Sequence, residues 1–147
     1  MEQDASTGAL LREVARLHTH LQRTSVACCA GTTVTQCTVL TELGRSGPVQ
    51  LAELSRRVGF DKSWTSRAVE HLVQDGLIEK VSSEADRRMV RLSLTPLGEQ
   101  RVHDLNCTLT GLAEHVMKRI PVPEHEGIQR ALTLLLRALQ HAGNCCG

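Results

Sequence analysis

The chain of 147 residues has room for one domain with a hydrophobic core, and its 41% hydrophobic and 22% charged residues are ordinary for a globular protein. No apolar run reaches the roughly 18 residues of a membrane span, and the start Met1-Glu-Gln-Asp-Ala-Ser-Thr lacks the basic, then apolar, build of a secretion signal. With 17 basic against 16 acidic residues, bulk charge announces neither a nucleic-acid nor a membrane partner, so an anion-binding surface must come from where the charges sit.

The pattern begins with an amphipathic helix over 9–29, in which Leu10, Val14, Leu17 and Leu21 form one stripe. Ala30-Gly31-Thr32-Thr33-Val34 interrupts it. Thr35 reads as the N-cap of a second helix through Leu43, ended by Gly44 and Gly47-Pro48. Leu51, Leu54 and Val58 make a short third helix stopped by Gly59. Asp61 caps a fourth that carries Val69, Leu72 and Val73 and closes at Gly76. The period then falls to 2. Residues 77–81 and 89–94 read as short strands joined by the polar loop Ser82-Ser83-Glu84-Ala85-Asp86-Arg87-Arg88. Thr95-Pro96 opens a long helix with a seam of Val102, Leu105, Leu109, Leu112 and Val116. Pro121 and Pro123 end it, and a last helix over about 124–142 carries Ile128, Leu132, Leu135 and Leu139, with Gly143 after it.

Two short strands are no independent sheet, so they must pack beside the helix-turn-helix as a wing. The expected fold is mainly α with a small β-wing: a winged helix-turn-helix flanked by N- and C-terminal dimerisation helices. The boundaries are 1–34 for the first helix and loop, 35–98 for the winged helix and 99–147 for the last helices and the Cys-Cys tail. The terminal apolar seams exceed what one small winged helix can cover, which predicts a homodimer.

At this point the sequence resembles the MarR (multiple antibiotic resistance) family of transcription regulators, over nearly the whole chain. Leu51-Ala52-Glu53-Leu54-Ser55-Arg56-Arg57-Val58-Gly59 resembles the first helix of that family's helix-turn-helix, and Asp61-Lys62-Ser63-Trp64-Thr65-Ser66-Arg67 the start of its recognition helix. Gly76-Leu77-Ile78-Glu79-Lys80, Asp86-Arg87-Arg88 and Leu92-Ser93-Leu94-Thr95-Pro96-Leu97-Gly98 resemble its wing and exit. Trp64 departs from the small or aliphatic residue more usual there. The resemblance implies that the terminal helices of two subunits interlock, and that Asp86 pairs with an arginine to shape the wing.

Physical chemistry supports the same surface. The second helix of a helix-turn-helix enters the major groove N-terminus first, with half-sites ~34–36 Å apart on a pseudo-palindromic duplex. Lys62, Ser63, Thr65, Ser66 and Arg67 all donate hydrogen bonds, and a helix N-terminus favours phosphates. Arg67 reads a guanine bidentately or holds a phosphate. Trp64 packs under the helix or touches a thymine methyl or sugar. Arg87, Arg88 and Arg91 concentrate charge at the wing, where Arg87 or Arg88 suits the minor groove.

The six cysteines, with no secretion signal, read as reduced thiols in a cytoplasmic protein. Cys107 reads as a small buried hydrophobe. The vicinal pairs Cys28-Cys29 and Cys145-Cys146 are poor staples but present adjacent soft thiolates. Such thiolates suit a thiophilic metal or metalloid, copper(I) or an iron–sulfur cluster. Cys37, at about the second residue of its helix if Thr35 is the cap, has a dipole that favours thiolate. The resulting expectation is a repressor whose DNA grip is controlled by metal or metalloid binding, or by oxidation, at Cys28, Cys29, Cys37, Cys145 and Cys146. His18 and His20, at i and i+2, share no helical face, and the seven histidines are read as non-ligands. The alternative is a repressor released by a small aromatic or phenolic ligand, which the single Phe, single Trp and absent Tyr disfavour. A winged helix used only for protein contacts is a remoter option. No nucleophile motif, phosphate loop or HExxH spacing points to an enzyme.

Overall fold

The structure is a computed structural model that describes residues 6–26 and 31–142. In chain order they form α1 (Thr7–Val26), α2 (Val34–Ser46), α3 (Leu51–Val58), α4 (Lys62–Gln74), β1 (Ile78–Ser82), β2 (Val90–Leu94), α5 (Pro96–Met117), a 3-10 turn (Val122–Glu124) and α6 (His125–Ala142). The chain divides after Leu109 into two compact units, with α5 running from the first into the second. None of the described helices is long and apolar enough to cross a membrane.

The first unit is the expected winged helix, reached by α1. Val39, Leu40 and Leu43 from α2, Leu54 from α3, and Ala68, Val69 and Leu72 from α4 converge on one core. Leu77, Ile78 and Leu92 join from the hairpin, and Val102 and Leu105 from α5. β1 and β2 pair antiparallel with Ile78 opposite Leu94, Lys80 opposite Leu92 and Ser82 opposite Val90. A further bridge links Val49 to Leu92 through two backbone hydrogen bonds of 3.2 and 2.8 Å. The hairpin is thereby fastened to the segment that leads into α3, which no periodicity in so short a stretch predicts.

Caps account for most element ends. α4 closes as a Schellman motif: Leu77 N–H donates to the Leu72 carbonyl and Gly76 N–H to that of Val73, with Gly76 at φ 71°. Thr95 starts α5, its hydroxyl accepting from Gly98 N–H and donating to the Gly76 carbonyl. For α2 the cap is Thr33, not Thr35. The Thr33 hydroxyl accepts from Gln36 N–H at 3.2 Å while the Gln36 side chain accepts from Thr33 N–H at 2.9 Å, a complete capping box. Nor does Gly44 end α2, which continues to Ser46 and is capped by Gly47. A Cβ at Gly44 would stand 2.7 Å from Val102 Cγ1, so this glycine lets α5 approach α2 closely.

In the second unit α5 stops at Met117, short of Pro121. His125 Nε2 lies 3.0 Å from the Met117 carbonyl and 2.9 Å from that of Ile120, and Arg119 and Ile120 N–H make i→i−3 bonds. The imidazole thus serves the carbonyls that a longer helix would have bonded. Among the described residues, none of α6 is buried.

Candidate nucleic-acid interface

Gly59 (φ 73°) ends α3 in the left-handed conformation and turns the chain toward α4. Asp61 Oδ1 then accepts the Trp64 N–H at 2.9 Å, while its carbonyl accepts the Thr65 N–H at 3.1 Å and the Thr65 hydroxyl at 3.0 Å. This sets the helical phase. Ala68, Val69 and Leu72 face the core, and Thr65, three, four and seven residues before them, faces it too.

Thr65 is 0% exposed and its hydroxyl is engaged by Asp61, so the expectation that it donates to DNA is corrected. Lys62, Ser63, Trp64 and Arg67 are exposed, and Ser66 is half-buried. The Trp64 ring does not pack under the helix; it is 59% exposed.

Ion pairing separates the cations into two groups. Arg56 and Arg57 of α3 each contact Glu53 at 2.6 Å, and Arg45 contacts Glu42 at 2.9 Å. Hydrogen bonds from Arg56 first, then Arg57, lower the Glu53 carboxyl to about 2. Lys80 of β1 pairs with Glu70 of α4 and ties the wing to that helix. Lys62, Arg67, Arg87, Arg88 and Arg91, by contrast, enter no ion pair among the described residues.

Asp86 does not neutralise a wing arginine, contrary to what the family resemblance implies. Its carboxylate accepts the Arg88 backbone N–H at 2.9 Å, its carbonyl accepts the Met89 N–H at 2.9 Å, and Ser83 N–H closes on the Met89 carbonyl at 3.1 Å. The loop is shaped by an Asx turn that leaves Arg87, Arg88 and Arg91 exposed.

Two hollows adjoin these elements. A groove of about 390 Å³ lies between the start of α2 and α4, lined by Thr33, Thr35, Gln36, Trp64, Arg67, Ala68 and His71. The sequence reading missed His71 here, although it stands four residues after Arg67 and seven after Trp64, on one helical stripe. A cavity of about 460 Å³ is lined by Arg23, Val34, Cys37, Phe60, Leu105 and Leu109 among others. Arg101 of α5 also reaches Thr32 before α2 at 2.9 Å, a contact between residues far apart in the sequence that no local pattern signals.

Cys37 is the fourth residue of α2, not about the second. Its N–H is bonded to the Thr33 carbonyl at 2.9 Å and its side chain is buried. The dipole argument for an activated thiol therefore loses its premise. Cys107 is exposed rather than buried, with Sγ 3.6 Å from His103 Nε2. Cys28, Cys29, Cys145 and Cys146 lie outside the described residues. Among the described residues no three or more His, Cys, Asp or Glu groups are placed to hold a metal ion.

Comparison with known proteins bears on this geometry. The model of the MarR family matches residues 30–89. The HTH-type transcriptional regulator BilQ of Clostridium symbiosum is 38% identical over 66 residues, 43% of this chain and 46% of that protein. BilQ of Clostridioides difficile is 29% identical over 82 residues, covering 56% of this chain and 55% of its own length. The chain thus spans about half the length of the curated relatives it matches. Over almost the whole chain, the crystal structure of Rv1404 from Mycobacterium tuberculosis superposes with TM-score 0.79 at 29% identity, covering 94% of each chain. A MarR family protein from Bacillus stearothermophilus gives 0.82 at 23% identity, covering 92% and 94%. The mainly helical winged fold is shared with these structures, and the curated relatives are transcriptional regulators rather than enzymes.

Proposed function

We propose that the chain, whose residues 30–89 match the model of the MarR family, is a homodimeric regulator of that family that represses transcription by binding a pseudo-palindromic duplex in the cytoplasm. The observation that carries this reading is the uncompensated charge of Lys62, Arg67, Arg87, Arg88 and Arg91 on an exposed helix start and an exposed hairpin. The neighbouring cations of α3 are neutralised locally. In this reading Lys62, Ser63, Trp64, Ser66 and Arg67 face the major groove, and the wing arginines face a minor groove.

Fluorescence anisotropy with duplex DNA from the protein's own promoter, titrated with salt, tests it. Binding should weaken steeply as salt rises. Arg67→Ala should cost about 1–3 kcal/mol with sequence preference relaxed, and Arg88→Ala should weaken binding. Salt-insensitive binding, or none, would remove the reading.

The input we propose is thiol chemistry: a soft metal or metalloid, an iron–sulfur cluster or an oxidant acting at Cys28, Cys29, Cys37, Cys145 and Cys146. The support is the two vicinal pairs, which present adjacent soft ligands. A Cys28→Ser/Cys29→Ser double variant should lose its response to arsenite, mercury(II), copper(I) and peroxide. An unchanged response would reject thiol sensing. The cavity around Cys37, Phe60 and Leu105 favours a second reading, release by a small apolar effector. Calorimetry with benzoates and phenols on the cysteine-free protein tests that one.

A further inference from the structure

Arg101 and Asp75 carry opposite charges on one small polar hollow, yet neither forms an ion pair among the described residues. The hollow, of about 250 Å³, lies within the first unit, where the segment leading into α2, the end of α4 and the first turns of α5 meet. That volume is just under the roughly 300 Å³ at which pockets for drug-sized molecules begin, so it suits a small organic molecule.

Each charge is held by its own element. Arg101 reaches toward α2, where its Nη1 donates to the Thr32 hydroxyl at 2.9 Å. Asp75 is the C-cap of α4, its backbone N–H bonded to the His71 carbonyl at 2.9 Å. Gln36 adds donors beside Thr32: its Oε1 accepts the Thr33 N–H, which leaves the N–H groups of its amide nitrogen to face the hollow. Leu97, 57% exposed, gives the hollow an apolar edge.

This arrangement selects against simple ions. An anion alone meets the Asp75 carboxylate, and a cation alone meets the Arg101 guanidinium, so each is repelled by one of the two. A molecule that carries both charges a few bonds apart satisfies both. Its carboxylate accepts from the guanidinium and the Gln36 amide, and its ammonium donates to Asp75. We propose that the hollow binds a free α-amino acid with a small apolar side chain, the side chain lying against Leu97. The bound amino acid ties the end of α4 to α5. Its binding needs no DNA, so its failure leaves the DNA-binding reading intact.

Isothermal titration calorimetry of the full chain with alanine, valine and leucine in turn tests the proposal. At least one should bind saturably. For valine, isovalerate lacks only the ammonium and isobutylamine only the carboxylate, and each analogue should bind at least tenfold more weakly than its parent amino acid, as should the corresponding pairs for the other two. Asp75→Asn and Arg101→Gln should each weaken amino-acid binding about tenfold. Asp75→Asn should keep the wild-type melting temperature, because asparagine is well tolerated at a helix end. It decides alone if Arg101→Gln, which gives up the Thr32 contact, fails to fold. Absence of saturable binding by all three amino acids overturns the proposal, as does binding that Asp75→Asn leaves unchanged. An analogue without the ammonium that binds as tightly as the amino acid makes the hollow a plain anion site and overturns it too.

Discussion

A methyl group at position 98 would stand 2.0 Å from the Leu77 carbonyl oxygen and 3.0 Å from its carbon. Backbone cannot yield there as a flexible side chain can, so Gly98→Ala must push the start of α5 away from β1 and open the core beneath Ile78 and Leu92. We expect a loss of about 3 kcal/mol, at the upper end of overpacking costs. It should appear as a lower urea midpoint at unchanged m-value, and a midpoint within error of wild type would contradict it. Glu53 tests the charge pattern on α3. Its carboxyl is held at about 2 against an ordinary 4.5, first by Arg56 and then by Arg57. A group whose folded value is depressed contributes stability that is complete above its unfolded value and fades as pH falls. The window here is between 4.5 and about 2, and salt narrows the effect because the pair is exposed. NMR titration should find the Glu53 midpoint near 2 in the wild type and closer to 4.5 in Arg56→Gln. An ordinary midpoint in the wild type would mean that the α3 arginines are as free as those of the wing.

At the scale of the element, the start of α2 shows how near a correct reading the sequence comes and where it stops. Thr32, Thr33 and Thr35 are each competent caps. The deciding feature is Gln36, which completes a capping box only with Thr33. Thr33→Ala should therefore cost about 1 kcal/mol and Thr33→Ser almost nothing, whereas Thr35→Ala should stay within about 0.5 kcal/mol. Thermal melts that rank Thr35 above Thr33 would return the cap to position 35. The helix-turn-helix was more legible because each boundary has one strong candidate: Asp61 before α4, Gly59 after α3, Gly76 before a change of period. Gly44 misled because a glycine that stops a helix and one that admits a neighbouring helix look alike until Val102 is found against it. Thr65 could have been placed from its spacing to Ala68, Val69 and Leu72. So could Cys107, which stands two residues from both Leu105 and Leu109 and so on the face of α5 away from the core seam.

At the scale of the whole molecule, the apolar residues exposed among the described ones support the homodimer proposed above. Leu132, Leu134, Leu136 and Leu139 on α6 are 55%, 64%, 56% and 55% exposed. On α1, Leu10, Val14 and Leu17, three members of the stripe read from the sequence, are exposed as well. Scattered single leucines need no explanation, but Leu132, Leu136 and Leu139, at i, i+4 and i+7 on one face of an 18-residue helix with Leu134 on the other side, do. Fully burying a leucine is worth about 1.5–3 kcal/mol, so covering such a face on two copies outweighs the usual entropic cost of association. We therefore expect light scattering to find a dimer, and Leu132→Asp/Leu136→Asp to yield a monomer whose first unit keeps its helical signal. That monomer should bind a duplex with two half-sites about a hundredfold more weakly than the wild type, because the second recognition helix no longer acts at the effective concentration set by the first. Its binding to a single half-site should change little. A double variant that remains dimeric would place the subunit contact elsewhere than α6. A monomeric wild type that still grips the two-site duplex tightly would remove the dimer, and with it the requirement for a pseudo-palindromic site.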